Sequence, residues 1–361
     1  MGPPRRAQLA STGGDIRDRT RGGRSSLAPA KGPAVALKPR RRTEKATKEN
    51  EVPSLLDIKA RLKATENIRK ITRAMQLVAA AKFKRSEDRA KTARPYCEEF
   101  DRVLRVLAGL IDGADRTAGS ESTIEMTFEP GKPPVEIEMA RIFEHRGEPE
   151  PKRVALVLVT SDRGLCGAFN TRLIRAASEF ISAHPGVDVR LIPVGRKGYL
   201  YFKIRNFPIL FSEEKLSDRL ELDEIGRITR RLVALFVSGE VDAVYFVYPQ
   251  FKTVMTSTIR VEKFLSIPRF EKNEGQETYL LEPDRRSVYE RLLPLYATTK
   301  VFATLADSFA SEYGARMTAM QLATTNAEEM LGTLTIQRNR LRQAVITKEL
   351  AEIVGGAEAL K

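Results

Sequence analysis

The sequence predicts an α/β fold plus a long antiparallel coiled coil formed by N- and C-terminal helices, with a central Rossmann-like α/β domain. Two stretches without proline, 54–94 and 295–354, carry apolar residues at steps of three and four, which is the period of an α-helix. Between them, 153–267 alternates short apolar runs with helical patterns, as parallel-sheet domains do. The chain has only 7% aromatic but 30% charged residues, which is typical of long helices with much exposed surface.

The N-terminal helix is predicted to begin after Ser54, an N-cap residue that Asp57 complements in a near capping box. Pro95 is predicted to kink or end this helix, and a further helical stretch follows over 96–111. The N-terminal coiled-coil segment is therefore assigned to 51–112. A helix of this kind buries little by itself, so pairing with the C-terminal helix is the economical solution.

The central domain is assigned to 153–267, where the hydrophobic period changes. Strands are predicted over four apolar runs and near Ile209, the runs being 154–159, 187–194, 243–248 and 256–264. Amphipathic patterns predict intervening helices at 170–184, 196–203 and 223–237. This alternation favours a largely parallel sheet.

The first 50 residues hold 13 Lys and Arg against four Asp and Glu, with six Gly, five Pro and no aromatic residue. Such a segment cannot bury enough apolar surface to offset chain entropy, so 1–50 is predicted to be a disordered basic tail. Its composition also suits a mitochondrial transit peptide, although its Gly and Pro disfavour the amphipathic helix of such peptides. We favour a solvated tail with loose attraction to acidic partners or lipid.

The remaining segments are predicted as connections and a second helix. Residues 113–152 are turn-rich and form a linker or insertion, in which the alternating run 135–139 predicts an exposed strand or hairpin. Residues 268–293 are predicted to be a polar linker. The C-terminal coiled-coil segment is assigned to 294–361, with Gly355-Gly356 as its stop signal.

Composition excludes several classes of protein. No apolar run approaches the ~20 residues of a membrane-spanning helix, and the pattern of a secretory signal is missing. Two cysteines, Cys97 and Cys166, fit a reducing compartment without a disulfide framework. Two histidines, His145 and His184, lack metal-ligand spacing, so no metal site is predicted.

The most distinctive loop, 160–170, lies between a predicted strand and a predicted helix. A helix N-terminus preceded by glycines can hold phosphate, but neither nucleotide-binding glycine motif is present. We favour a structural tight turn in which Asp162 caps backbone groups. Cys166 lies near a helix N-terminus but has no nearby histidine, so a small buried residue is favoured over a nucleophile.

The basic charge is concentrated in the tail and in 54–94, which holds 12 Lys and Arg against four acidic residues. Nucleic-acid binding would favour interleaved aromatic residues, but Phe83 is the only aromatic residue in that segment. A protein-facing or solvated surface is therefore favoured. A nucleotide-dependent α/β enzyme would need a phosphate loop, and a coiled-coil scaffold or nucleic-acid binder leaves the turn at 160–170 unexplained.

Three motifs together resemble a known family. The string Ile71 to Lys82, followed by Thr92 to Tyr96, closely resembles the first helix of the gamma subunit of F-type ATP synthases. The turn Thr160 to Gly167 with Asn170 resembles the central domain of that family. Its C-terminal helix is similar to three stretches here, which are Ser311 to Met320, Ala323 to Ala327 and Asn339 to Ala357.

This resemblance implies that the chain is the central rotor shaft of the synthase, which couples proton-driven rotation to conformational change in the catalytic beta subunits. The implied partners are the alpha, beta and epsilon (or delta) subunits and the c-subunit ring, with no nucleic acid. The shaft itself is expected to be non-catalytic and to hold no cofactor or metal. Because the tail lacks the pattern of an amphipathic transit-peptide helix, the expected location is the cytoplasmic side of a bacterial inner membrane. The alternative is the matrix side of the mitochondrial inner membrane.

The resemblance also implies which residues contact the alpha and beta subunits. Met75, Lys82 and Arg316 are expected near the lever loops of the beta subunits. Arg342 and Gln343 are expected to form polar contacts higher in the hexamer.

Overall fold

The computed structural model describes the chain over 54–114, 123–127, 135–138, 151–254, 256–265 and 285–358, with residues 131, 133 and 282. The predicted tail 1–50 lies outside the described residues, as do most of the predicted insertion and most of the predicted linker before the C-terminal helix.

The first helix, α1, runs without a break over Leu55–Ala114. Its capping box is complete, because the Ser54 hydroxyl accepts a hydrogen bond from the Asp57 backbone while the Asp57 carboxylate accepts one from the Ser54 backbone. The sequence predicts that Pro95 kinks or ends the helix. Pro95 does not end the helix, so that part of the prediction is wrong. Ala93 and Leu104 on either side are buried, and this packing outweighs the ~3 kcal/mol that an interior proline costs.

Two short strands follow, β1 at Thr123–Met126 and β2 at Val135–Glu138. They pair antiparallel, with Ile124 opposite Ile137, so the predicted strand or hairpin is a hairpin. A hydrogen bond from Arg230 to the Pro133 carbonyl oxygen ties the hairpin loop to the central domain.

The central sheet contains β3 (Arg153–Val159), β4 (Asp188–Val194), β5 (Ala243–Phe251) and β6 (Ser257–Leu265). The spatial order is β4-β3-β5-β6, in which the first three strands are parallel and β6 is antiparallel at the edge. The intervening helices are α2 (Phe169–Ala183), α3 (Arg196–Ile204) and α4 (Leu222–Val237). The predicted strand near Ile209 is only an isolated bridge to Leu191.

Alternate residues of β3 enter two different cores, as expected of a strand buried on both faces. Ala155 and Val157 pack into a large core shared with α4 and the long helices, whereas Leu156 and Leu158 pack under α2. One face of the sheet is therefore continuous with the core that holds the long helices.

The last helix, α5, spans Arg285–Glu358 and so begins nine residues before residue 294, the predicted start of the C-terminal coiled-coil segment. Leu293 and Tyr296 are buried against the core, and this packing keeps Pro294 inside the helix. The prediction that Gly355-Gly356 ends the helix is also wrong. Neither glycine takes the positive φ of a terminating glycine, and a helical glycine costs only about 1 kcal/mol.

The long helices α1 and α5 pack as the predicted antiparallel coiled coil. The Thr324 hydroxyl donates to the Thr72 hydroxyl (2.8 Å), while Thr65 contacts the sulfur of Met330 (3.7 Å). The small buried side chains that allow this close approach include Ala79, Ala90, Ala306, Ala310 and Ala327. By the same register Leu55 lies level with about residue 340, so α5 continues beyond the first turn of α1.

Candidate functional site

A cavity of about 780 Å³ lies between the coiled coil and the carboxyl ends of β3 and β4. Met75 and Lys82 of α1 and Arg316 of α5, three residues singled out in the sequence, all line it. The remaining lining includes the loop Asp162 to Leu165 and residues from the turn before α4, among them Asp218. The cavity therefore brings together the basic helix and the distinctive turn.

Asp218 joins the central domain to both long helices. Its carboxylate forms an ion pair with Lys82 of α1 and accepts a hydrogen bond from the Tyr313 hydroxyl of α5. Its backbone carbonyl oxygen accepts a hydrogen bond from Arg89, also of α1. Partial burial would raise the pKa of Asp218, but the hydrogen bonds from Lys82 and Tyr313 outweigh burial and lower that pKa.

Arg316 is buried and its guanidinium is engaged within the chain. It forms an ion pair with Glu312 one turn earlier (2.7 Å) and donates to the carbonyl oxygens of Arg163 (3.1 Å) and Gly164 (3.3 Å). Burial raises the pKa of Glu312, while Arg316 opposes that shift. The ion pair thus fixes the guanidinium so that it holds the turn 160–170 against α5.

The turn itself is structural, as predicted. The Asp162 carboxylate accepts hydrogen bonds from the backbone nitrogens of Arg196 (2.9 Å) and Lys215 (3.0 Å). Because Arg196 is the first residue of α3, the carboxylate occupies the position where a helix N-terminus would hold an anion. Cys166 is buried, as predicted, and Asn170 donates a hydrogen bond to its sulfur (3.2 Å).

The other two predicted contact residues lie elsewhere. Arg342 and Gln343 are both exposed on α5, just beyond the level of the α1 N-terminus. The structure therefore separates the five predicted residues into a group at the cavity and a pair on the distal helix. Met75 is half-buried and Lys82 is still partly accessible, whereas Arg316 lies beneath the surface.

A second polar cluster, which the sequence analysis missed, lies where α1 and α5 meet the strands β5 and β6. Lys300 of α5 forms ion pairs with Glu262 (2.6 Å) and Asp101 (3.8 Å), and the Tyr248 hydroxyl donates to Glu262 (2.6 Å). A charged residue such as Lys300 within the apolar period of the C-terminal segment is the signal that could have revealed the cluster.

Arg94 of α1 extends this cluster. It donates to the carbonyl oxygen of Phe251 at the end of β5 (2.9 Å) and forms an ion pair with Asp307 of α5 (3.3 Å). Burial raises the pKa of Asp307 to about 6, although Arg94 opposes the shift. This second cluster therefore connects the sheet to both long helices, whereas Asp218 connects the turn before α4 to them.

Within the described ranges, no group of three or more His, Cys, Asp or Glu side chains has the arrangement of a metal site. None of the helices in the described part of the chain is long and apolar enough to span a membrane.

Comparisons of sequence identify relatives of the whole architecture. The family model described as ATP synthase matches residues 54–360. An ATP synthase gamma chain from Sorangium cellulosum (strain So ce56) is 40% identical over 336 residues, covering 86% of this chain and 100% of its own length. Another from Chlorobium luteolum (strain DSM 273 / BCRC 81028 / 2530) is 37% identical over 316 residues, with coverages of 86% and 100%.

Solved structures share the fold. A chain from the mitochondrial ATP synthase of Euglena gracilis, in a structure of OSCP, F1 and the c-ring, superposes with a TM-score of 0.55 at 16% identity, covering 85% of this chain and 94% of its own length. A rotor chain from the same organism gives a TM-score of 0.53 at 14% identity, with coverages of 81% and 98%. The chain therefore shares its fold with these two chains of a mitochondrial ATP synthase. The chain belongs to the ATP synthase gamma chain family.

Proposed function

We propose that the chain is the central rotor shaft of an F-type ATP synthase, coupling proton-driven rotation of a c-subunit ring to conformational change in the catalytic beta subunits. The observation that carries the proposal is the distal part of α5, where large apolar side chains remain exposed, namely Ile336, Val345, Ile346, Leu350, Ile353 and Val354. Contiguous exposed apolar surface marks a site of protein interaction. A helix that turns inside a ring of subunits presents such a surface on several faces.

The shaft acts through unequal contacts and takes no part in the chemistry. A partner shifts a conformational equilibrium only by its differential affinity for the two states. Each beta subunit meets a different face of the asymmetric coiled coil, so rotation changes which beta subunit favours the closed state. The chain is non-catalytic and holds no nucleotide, in keeping with Asp162, whose own carboxylate fills the anion position at α3.

The five residues singled out in the sequence make different contacts with the alpha and beta subunits. Met75, with a flexible and polarizable side chain, meets the lever loops of the beta subunits in turn. Lys82 is partly accessible beside it, and Arg316 supports the same surface from beneath. Arg342 and Gln343 are exposed and form polar contacts higher in the alpha–beta hexamer.

The other partners are the c-subunit ring and the epsilon (or delta) subunit, which bind the lower coiled coil and the central domain. Through them the chain is peripheral at the cytoplasmic side of the cell inner membrane, with the matrix side of the mitochondrial inner membrane as the alternative. Identities of 37–40% to the Sorangium and Chlorobium relatives, against 14–16% to the two chains of the Euglena mitochondrial ATP synthase, favour the first location.

Co-purification tests the proposal. The tagged full-length chain, taken from a detergent extract of its own cells, should bring alpha and beta subunits with ATPase activity. The double variant Arg342→Ala, Gln343→Ala should lower assembly or turnover, because charge-assisted hydrogen bonds contribute about 1.5–3 kcal/mol each when desolvated. Arg175→Ala on the exposed face of α2 is the matched control and should leave both unchanged. Purification of the tagged chain without alpha and beta subunits would contradict the proposal.

A further inference from the structure

We propose that Asp218 is the positioning residue that locks the α/β domain to both helices of the coiled coil, so that torque passes between them without slip. This inference rests on the proposed rotor function and assigns that function a specific joint. From the central domain, the single side chain of Asp218 contacts both α1 and α5, through Lys82 and Tyr313.

Asp218 is presented by an anchored turn. The backbone nitrogen of Leu220 donates to the Ser217 carbonyl oxygen (3.0 Å), and the Ser217 nitrogen donates to the Glu224 carboxylate on α4 (3.2 Å). Three residues earlier the Lys215 nitrogen is held by Asp162 (3.0 Å). The turn is therefore closed on itself around Asp218 and is tied just before it to α4 and to the loop after β3, so force applied at the carboxylate reaches the rest of the domain.

The contacts from the coiled coil are spaced along its axis. Lys82 and Arg89 are seven residues apart on α1, which is two helical turns or about 10 Å. Lys82 contacts the Asp218 carboxylate and Arg89 contacts the Asp218 carbonyl oxygen, while Tyr313 approaches from α5. Asp218 is thus bound at two levels along α1 and at one position on α5.

The polar character of this joint matters for rotation. The hydrophobic effect is non-directional, so burial of the apolar core between coil and sheet favours contact without by itself selecting one relative orientation. Charge-assisted hydrogen bonds have a preferred geometry and weaken when their partners shift. A carboxylate shared by two helices therefore resists both axial sliding and relative twist.

The closing experiment measures twist directly in the assembled complex. The full-length chain is incorporated into the alpha–beta hexamer, which is stalled with a non-hydrolysable ATP analogue. A gold nanorod on α2, attached through Arg175→Cys, reports the angular fluctuation of the central domain. Asp218→Ala should widen the angular distribution, and Tyr313→Phe, which removes only the hydroxyl, should widen it less.

The matched control is Asp242→Ala. Asp242 is also a hydrogen-bonded carboxylate, but its partners are Arg153 (2.7 Å) and two backbone nitrogens within the central domain. Its loss should lower thermal stability without widening the angular distribution, which separates a torsional role from a merely structural one.

Equal widths of the nanorod's angular distribution for Asp218→Ala and Asp242→Ala, in normally assembled complexes, would overturn the inference. Should Asp218→Ala fail to fold, Tyr313→Phe decides: a wider distribution than the parent supports the joint, and an unchanged one overturns it. Failure of the parent chain to enter the hexamer would instead contradict the proposed function, and the joint with it.

Discussion

Gly195 lies at the end of β4, where the chain turns into α3, and has a φ of +100°. A Cβ at this position would collide with the carbonyl oxygen of Thr160 and lie 2.7 Å from its carbonyl carbon. Because both atoms are backbone of the neighbouring strand's end, neither can move cheaply. The Thr160 hydroxyl in turn donates a hydrogen bond to the Gly195 carbonyl oxygen (3.2 Å). Because both residues line the cavity, this contact holds the ends of β3 and β4 together at the cavity wall.

We therefore expect Gly195→Ala to destabilise the chain by at least about 1–3 kcal/mol from backbone strain alone. Chemical denaturation of the purified chain measures the change. Gly186→Ala is the control, since no atom lies within 4 Å of its added Cβ. Equal free energies of unfolding for the two variants would refute the steric account of Gly195.

Asp307 makes stability depend on pH. Its pKa of about 6 in the folded chain exceeds the ordinary value of 3.8, so the folded state holds the proton more tightly than the unfolded state does. The stability contributed by the neutral carboxyl is present below about pH 4 and is lost as pH rises through about 6. Asp307→Asn keeps the group neutral, so its free energy of unfolding should rise relative to the parent across that window, by about 3 kcal/mol at most.

Thermal unfolding of parent and variant at a series of pH values checks this. Asp242→Asn is expected to show the opposite pH dependence. Burial would raise the pKa of Asp242, but the hydrogen bonds and charge of Arg153 outweigh burial and lower that pKa. The parent therefore loses the stability contributed by the ionised Asp242 as pH falls. A parent–variant difference for Asp307 that stays constant between pH 4 and pH 7 would rule out the raised pKa.

At the scale of elements, periodicity predicted most of the fold because the signals are local. The stripe along α1, the capping box at Ser54 and the apolar run of β3 each depend on residues close in sequence. The errors lie where tertiary packing overrides a local rule. Pro95 would end an isolated helix, but the helix continues because its flanks are buried against α5.

Replacing that proline tests the argument. Pro95 is exposed, so Pro95→Ala loses no packing and restores one backbone hydrogen bond. We expect its free energy of unfolding to rise by roughly 1–3 kcal/mol. Pro294 in α5 is buried, so Pro294→Ala loses contacts and should gain less. A loss of stability in Pro95→Ala, measured by denaturation, would mean that the proline fits the bundle better than a regular turn.

The candidate site was only partly predictable for the same reason. Met75, Lys82 and Arg316 followed from family resemblance, and the role of Asp162 followed from a strand–turn–helix pattern. Asp218 carries no such signal, because its partners are 136 and 95 residues away and only the fold brings them together.

At the scale of the whole molecule, the described chain combines a stiff axis with a laterally attached domain. The 74 residues of α5 extend about 110 Å and the 60 residues of α1 about 90 Å. Polar clusters around Asp218 and around Glu262 join the domain to this axis, while distal α5 remains exposed. Such a molecule can carry a twisting force from one end to the other.

Rotation of the chain inside the proposed alpha–beta hexamer is the most direct test of this account. The alpha and beta subunits are fixed to a surface, the full-length chain carries a gold nanorod on α2 through Arg175→Cys, and ATP is added. We predict unidirectional rotation of the rod, with pauses at three angles per turn, one for each beta subunit. ATP hydrolysis by the hexamer while the rod stays still or wanders without direction would contradict the assignment of this chain as the rotor.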